Sequence, residues 1–107
     1  MIVTTTNDVP GRPTLKLLGV SRGTAIRSRH FGRNLLAFFR GLVGGEITDY
    51  TKVIAEAREQ AYDRMVEDAA KMGANAVLGV RFVSIEVMSN AAEIVVYGTA
   101  AIIEDEE

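Results

Sequence analysis

The chain contains no cysteine. A disulfide framework, a thiolate metal site and a cysteine nucleophile are therefore excluded. There are only two prolines, and both sit in the turn-forming stretch Pro10-Gly11-Arg12-Pro13. No apolar run approaches the ~18 residues a membrane-spanning helix needs. The opening Met-Ile-Val-Thr-Thr-Thr lacks the basic start and long apolar core of a secretory signal. Also missing is the low hydrophobicity that keeps chains disordered. The chain is 48% hydrophobic, and with glycine counted and tyrosine left out roughly 54% of it is apolar, against about 45–50% for ordinary soluble domains on the same count. Its 107 residues suit one domain, 1–107, with an acidic tail at 104–107. A cytoplasmic protein with more apolar surface than a small monomer easily hides is the expectation.

The net charge of −2 conceals a split. Residues 1–45 carry Arg12, Lys16, Arg22, Arg27, Arg29, Arg33 and Arg40 against Asp8 alone, a balance of +6. The remaining residues balance to −8. Such asymmetry suits pairing between the halves, within one chain or between copies, or anion binding by the first segment.

Residues 1–5 read as a short strand, and 15–29 as one or two strands interrupted at Gly19 and Gly23, where a bulge or bend is expected. Residues 34–43 place Leu35, Phe38, Phe39, Leu42 and Val43 at spacing suited to a short amphipathic helix or an irregular apolar segment. Thr48 or Asp49 can cap a long helix, whose apolar face is Tyr50, Ile54, Ala57, Ala61, Met65, Ala69 and Met72. Gly73 supplies its C-terminal stop. Residues 75–88 and 93–103 form two strands around the turn Ser89-Asn90. In the last strand Ile94, Val96, Ala100 and Ile102 on one face and Val95, Tyr97, Ala101 and Ile103 on the other are all apolar or aromatic. A strand covered on one face only should alternate. One helix covers one face, so the second layer is expected from another copy of the chain. Leu35, Phe38, Phe39 and Tyr97 are the candidate interface residues.

No catalytic group is assigned, because no nucleophile–base pair or Gly-x-Ser-x-Gly elbow is present. His30, the only histidine, lies among arginines, which oppose a cation; it is a weak metal candidate. Glu56, Glu59, Asp63 and Glu67 form a polar helix stripe that reads as solvated. Asp68 falls in the apolar sector, as does Arg58, so Asp68 needs a partner. An ion pair with an arginine of the 22–40 cluster or with Arg81 is expected. Arg22, Arg27, Arg29 and Asp68 are the ligand-binding candidates. Gly41-Leu-Val-Gly44-Gly45-Glu46 lacks the phosphate-loop pattern, and Glu46 and Asp49 oppose an anion there. The acidic balance disfavours nucleic acid. No cofactor is expected.

The words Thr4-Thr-Thr-Asn7, Val43-Gly-Gly-Glu46, Glu56-Ala-Arg-Glu-Gln-Ala61, Gly73-Ala-Asn-Ala-Val77, Val80-Arg-Phe82 and Ala92-Glu-Ile-Val-Val-Tyr-Gly-Thr-Ala100 occur in this order. In that ordered set, over residues 1–104, the chain resembles the YbjQ-type family. The resemblance implies an α+β fold: a two-layer β-α-β-β core, an antiparallel sheet with one long helix, like the dodecin subunit. It also implies a ring-shaped homopentamer and a heavy-metal-binding label without an established role. The resulting expectation is a homo-oligomer, pentameric, with a small anionic ligand at subunit interfaces. Divalent or heavy-metal binding through His30 or the helix carboxylates is the alternative.

Overall fold

A computed structural model describes residues 1–28, 46–88 and 91–105. Its elements run β1 (Ile2–Val3), β2 (Thr14–Ser28), α1 (Glu46–Lys71), β3 (Ala76–Met88) and β4 (Ala91–Ile103). They form one sheet in the order β1-β3-β4-β2. The three long strands are antiparallel, as expected for the core. The sheet as a whole is mixed rather than antiparallel, because the short β1 adds to β3 in parallel.

The helix starts at Glu46, before the expected cap at Thr48 or Asp49, and runs 26 residues. Its buried stripe is Val53, Ala57, Ala61, Met65 and Ala69, stepping by four. Ile54 and Met72 flank it half-buried. Arg58 is exposed, against the expectation of a packed position. The stripe is narrower than the apolar sector read from the sequence, since the helix lies over β2 and β4 and scarcely reaches β3. The helix stops as expected at Gly73, whose φ is +90°. The Gly73 amide donates to Ala70 O and the Ala74 amide to Ala69 O. Those two bonds are the left-handed glycine cap that satisfies the last carbonyls of a helix.

Close approach explains why the covered side of β2 is made of small residues. In β2, Ser21, Gly23 and Ala25 are buried while Val20, Arg22, Thr24 and Ile26 are exposed. A Cβ on Gly23 would strike the Ala61 carbonyl and the Met65 amide of the helix backbone. Gly23 therefore marks helix contact, not the bend expected there. Gly19 does sit at a β2 register shift, with φ +126°. Ser21 Oγ, fully buried, donates to Met65 O at 2.7 Å. Ala57, Ala61, Met65, Ala69, Val77, Val80, Ile94, Val96 and Ala100 complete this core with Ala25.

The opposite face has a partial cover the sequence did not suggest. Ile2 and Val9, from the chain's own first residues, pack on Ala76, Leu78, Ala101 and Ile103. Arg12 ties this segment to the chain end: its Nε donates to Glu104 O at 2.8 Å, and its Nη2 lies 3.9 Å from Asp105. That pair links the basic first half of the chain to its acidic end. Beyond this cover no other described element lies on the face. Val20, Ile26, Val83, Ile85 and Tyr97 are between 39% and 69% exposed.

Candidate functional site

The chain's first residues meet β3 at a bulge. The register shifts between Leu78 and Arg81, where Gly79 takes φ +62°, a left-handed conformation that glycine adopts freely. Gly79 N donates to Thr6 O and Val80 N to Thr4 O, so residues 4–6 continue the pairing begun by β1. A hydroxyl chain stiffens this segment. Thr6 Oγ1 donates to Asp8 O at 2.6 Å, which leaves Thr4 Oγ1 as the donor to Thr6 Oγ1 at 2.8 Å. Thr6 N in turn donates to Thr4 Oγ1.

The bulge also aims Arg81. Its Nη1 donates to Val80 O at 2.8 Å and to Thr5 O at 3.0 Å. The guanidinium is thus held against the first segment, and its Nε and Nη2 donors meet no acceptor among the described residues. Tyr97 stands opposite Arg81 on one side and opposite Arg22 on the other. With strands about 4.8 Å apart, the two arginine positions straddle Tyr97 at roughly 10 Å. The Arg22 guanidinium meets no acceptor among the described residues.

Next to this row lies a cavity of about 220 Å³, lined by Asn7, Leu17, Leu78, Gly79 and Thr99. Thr99 pairs with Leu78 on one side and Val20 on the other. Neither the Thr99 hydroxyl nor the Asn7 carboxamide has a partner among the described residues. Cavity and arginine row are adjacent steps of one face, Thr99 and Tyr97 being two residues apart, or about 7 Å.

Asp68 has a partner, but not the expected one. Its Oδ2 accepts the backbone amide of Arg22 at 3.2 Å, not the guanidinium. Arg64 Nη1 donates to Thr24 O at 2.6 Å. Both helix side chains therefore cap outward-facing backbone groups of β2, the free edge of the sheet. The physical reason is reach: the helix runs along β2, so Asp68 finds the strand backbone before any arginine head on the far face. Arg27 lies opposite Ala92, five residues or about 17 Å along β2 from Arg22. Arg29, His30, Leu35, Phe38 and Phe39 fall outside the described residues. Glu59, Asp63 and Glu67 are exposed and Glu56 is half-buried. Among the described residues no three His, Asp or Glu side chains converge on a metal position.

Asn7, Thr99, Gly79 and the role of Arg81 were not singled out as site residues. A signal existed, since Asn7 and Arg81 lie in Thr4–Asn7 and Val80–Phe82, two of the words that carry the resemblance. Their chemistry became visible only when the bulge brought them together.

The sequence profile of the family described as "Putative heavy-metal-binding" matches residues 1–104. The chain belongs to the YbjQ-type family. Its relatives include a UPF0145 protein of Methanosarcina acetivorans, 51% identical over 100 residues and covering 94% of each chain. Another, from Thermus thermophilus, is 51% identical over 104 residues, which is 97% of this chain and 91% of that one. A third, from Clostridioides difficile, is 48% identical over 106 residues, covering 99% and 95%. The crystal structure of a Pediococcus pentosaceus protein of unknown function, assigned to the DUF74 family, aligns with TM-score 0.52 and 15% identity over 99% of this chain and 98% of that one. That similarity supports the fold of this YbjQ-type chain and nothing further.

Proposed function

We propose that this YbjQ-type chain is the subunit of a homo-oligomer, a pentamer as the family resemblance implies, that holds a small anion beside its subunit contacts. The observation that carries the reading is the outer half of β3. Residues 81–86 are all exposed, and they include Phe82, Val83 and Ile85. Beyond Val80, β3 has no strand on its outer side among the described residues. A bare edge flanked by large apolar side chains is what a soluble chain normally covers. A second copy is the occupant argued for here, for two reasons. The radius of gyration is 17.5 Å, against about 13 Å for a compact chain of this length, so the subunit is elongated. Its charge halves are also complementary, +6 over residues 1–45 against −8 over the rest. Phe38, Phe39 and Leu35 join this interface from the sequence pattern alone.

Light scattering at micromolar concentration tests it. A particle of five times 11.6 kDa is expected, and the double variant Val83→Lys, Ile85→Lys should dissociate it. A stable wild-type monomer overturns the assembly. Alanine at Phe38 and Phe39 should weaken the particle as well. The family's description makes heavy-metal binding the second reading, with His30 and the helix carboxylates as donors. Calorimetry with zinc, copper and nickel decides it: heat that disappears in His30→Ala supports the reading, and silence in the wild type removes it.

A further inference from the structure

We propose that the outer edge of β3 in one copy seats on the exposed side of β2 in the next, so that one contact, repeated head to tail, builds the particle. The inference rests on the second copy of the reading above and names the surface that receives β3. On the face away from the helix, β2 presents Leu17, Val20 and Ile26, each between 64% and 69% exposed. Between Val20 and Ile26 stand Arg22 and Thr24, and neither the guanidinium nor the hydroxyl has a partner among the described residues. The surface is thus apolar at both ends and carries hydrogen-bonding groups in the middle.

The outer half of β3 is its counterpart. Beyond Val80 the outward amides and carbonyls of β3 have no strand to bond among the described residues. Phe82, Val83 and Ile85 flank them, all exposed. Covering such an edge with apolar side chains alone would strand its backbone groups. Arg22 can donate to carbonyls and Thr24 can serve either kind of group, while Leu17, Val20 and Ile26 cover the flanking side chains. Charge agrees, since Glu86 is exposed on β3 and Arg22 on β2. Two β2 surfaces set together would instead oppose Arg22 to its own copy. The backbone edge of β2 is the other place where a strand could add. Asp68 occupies it at the Arg22 amide and Arg64 at the Thr24 carbonyl. The neighbour is therefore met through the face of β2 and not by lengthening its sheet. Geometry then sets the symmetry. The edge of β3 points along the plane of the sheet, and the β2 side chains point out of that plane. Seating one on the other turns each copy by about a quarter-turn from the last, and a head-to-tail contact with that rotation closes after about four or five copies. Two like faces packed together would stop at two.

The absence of native cysteine makes disulfide trapping in the intact protein a clean test. Val20→Cys or Ile26→Cys is combined with Val83→Cys or Ile85→Cys, four double variants in all. Within one chain each such pair is separated by at least two strand spacings, about 10 Å, beyond the ~7 Å Cα separation that a disulfide spans. Mild oxidation should join at least one double variant into a ladder of bands that ends at the size of the wild-type particle. The four single-cysteine variants should stay unjoined. The double variant Val20→Lys, Ile26→Lys should dissociate the particle. Bands that stop at two chains, or a single variant that joins to its own kind, mean a two-fold contact and overturn the head-to-tail arrangement. An assembled wild type in which none of the four pairs joins, or an assembly unmoved by Val20→Lys, Ile26→Lys, overturns the receiving surface and leaves the oligomer standing. A stable wild-type monomer overturns both.

Discussion

The two faces of the sheet come from the same three strands and are built on opposite rules. Under the helix the strands present Ser21, Gly23, Ala25 and Ala100, all buried, and the helix answers with Ala57, Ala61 and Ala69. On the other face stand Val20, Ile26, Val83, Ile85 and Tyr97, all larger and all exposed. Along β2, burial tracks proximity to the helix rather than side-chain hydrophobicity, while on the other face Ala76, Leu78, Ala101 and Ile103 owe their burial to Ile2 and Val9. An exposed large apolar face is the more informative observation, since a self-sufficient domain seldom leaves one uncovered. The covered face explains how the chain holds together, and the open face is the part its own described residues leave exposed.

The largest test of this contrast is Met65→Ala. Met65 is fully buried and, by volume, the largest such side chain among the described residues. Truncation of a buried methionine costs about 2–5 kcal/mol, so chemical denaturation should show a loss in that range. A loss under about 1 kcal/mol would mean that the helix packs more loosely than the contrast requires. Gly23→Ala follows, at about 1–3 kcal/mol from overpacking. Its Cβ meets the helix main chain, and Arg64 Cβ is only 2.8 Å away, so the helix must shift as a body. Proteins tolerating this substitution without loss would show that the helix does not lie on β2 so closely.

Much of the covered face was legible in the sequence. The stripe Ala57, Ala61, Met65 and Ala69 repeats every four residues, and Gly73 has the chemistry of a helix stop; periodicity and capping are local properties. The two-sided apolar pattern of residues 94–103 correctly demanded a second layer. Part of that layer comes from the same chain, where Ile2 and Val9 cover Ala101 and Ile103. That cover depends on a parallel pairing between chain positions more than 70 residues apart, which no local pattern encodes. The site was less legible. Asp68 was rightly marked as needing a partner, but a backbone amide has no sequence signature, so the Arg22 N–H was invisible in advance. The bulge at Gly79 had the same effect on Asn7, Thr99 and Arg81.

The two edges repeat the contrast on a smaller scale. Asp68 and Arg64 occupy the outward backbone of β2 at Arg22 and Thr24, whereas the outer half of β3 has no such cap among the described residues. Asp68→Ala removes one charge-assisted bond at a half-buried position, and about 0.5–1.5 kcal/mol should be lost. Hydrogen exchange gives the more specific readout: the Arg22 amide should exchange faster while amides inside the β3–β4 ladder keep their protection. An unchanged Arg22 amide would show that water serves that edge as well as the carboxylate does, and the difference between the two edges would lose its basis.

The smallest expected effect bears most directly on the open face. Ile85 is 47% exposed in the single chain, so Ile85→Ala should change the stability of a dissociated subunit by no more than about 0.5 kcal/mol. If a second copy covers Ile85, the same substitution removes area that is buried only in the assembly. Assembly stabilises the folded chain by mass action, so its contribution rises with protein concentration. The melting temperature of Ile85→Ala should therefore fall below wild type at high concentration and converge with it on dilution. Met65→Ala should keep its deficit at every concentration, because the helix-side core belongs to the subunit alone. Equal, concentration-independent melting of wild type and Ile85→Ala would leave the open face facing water, and its apolar side chains would then need an occupant other than a second copy.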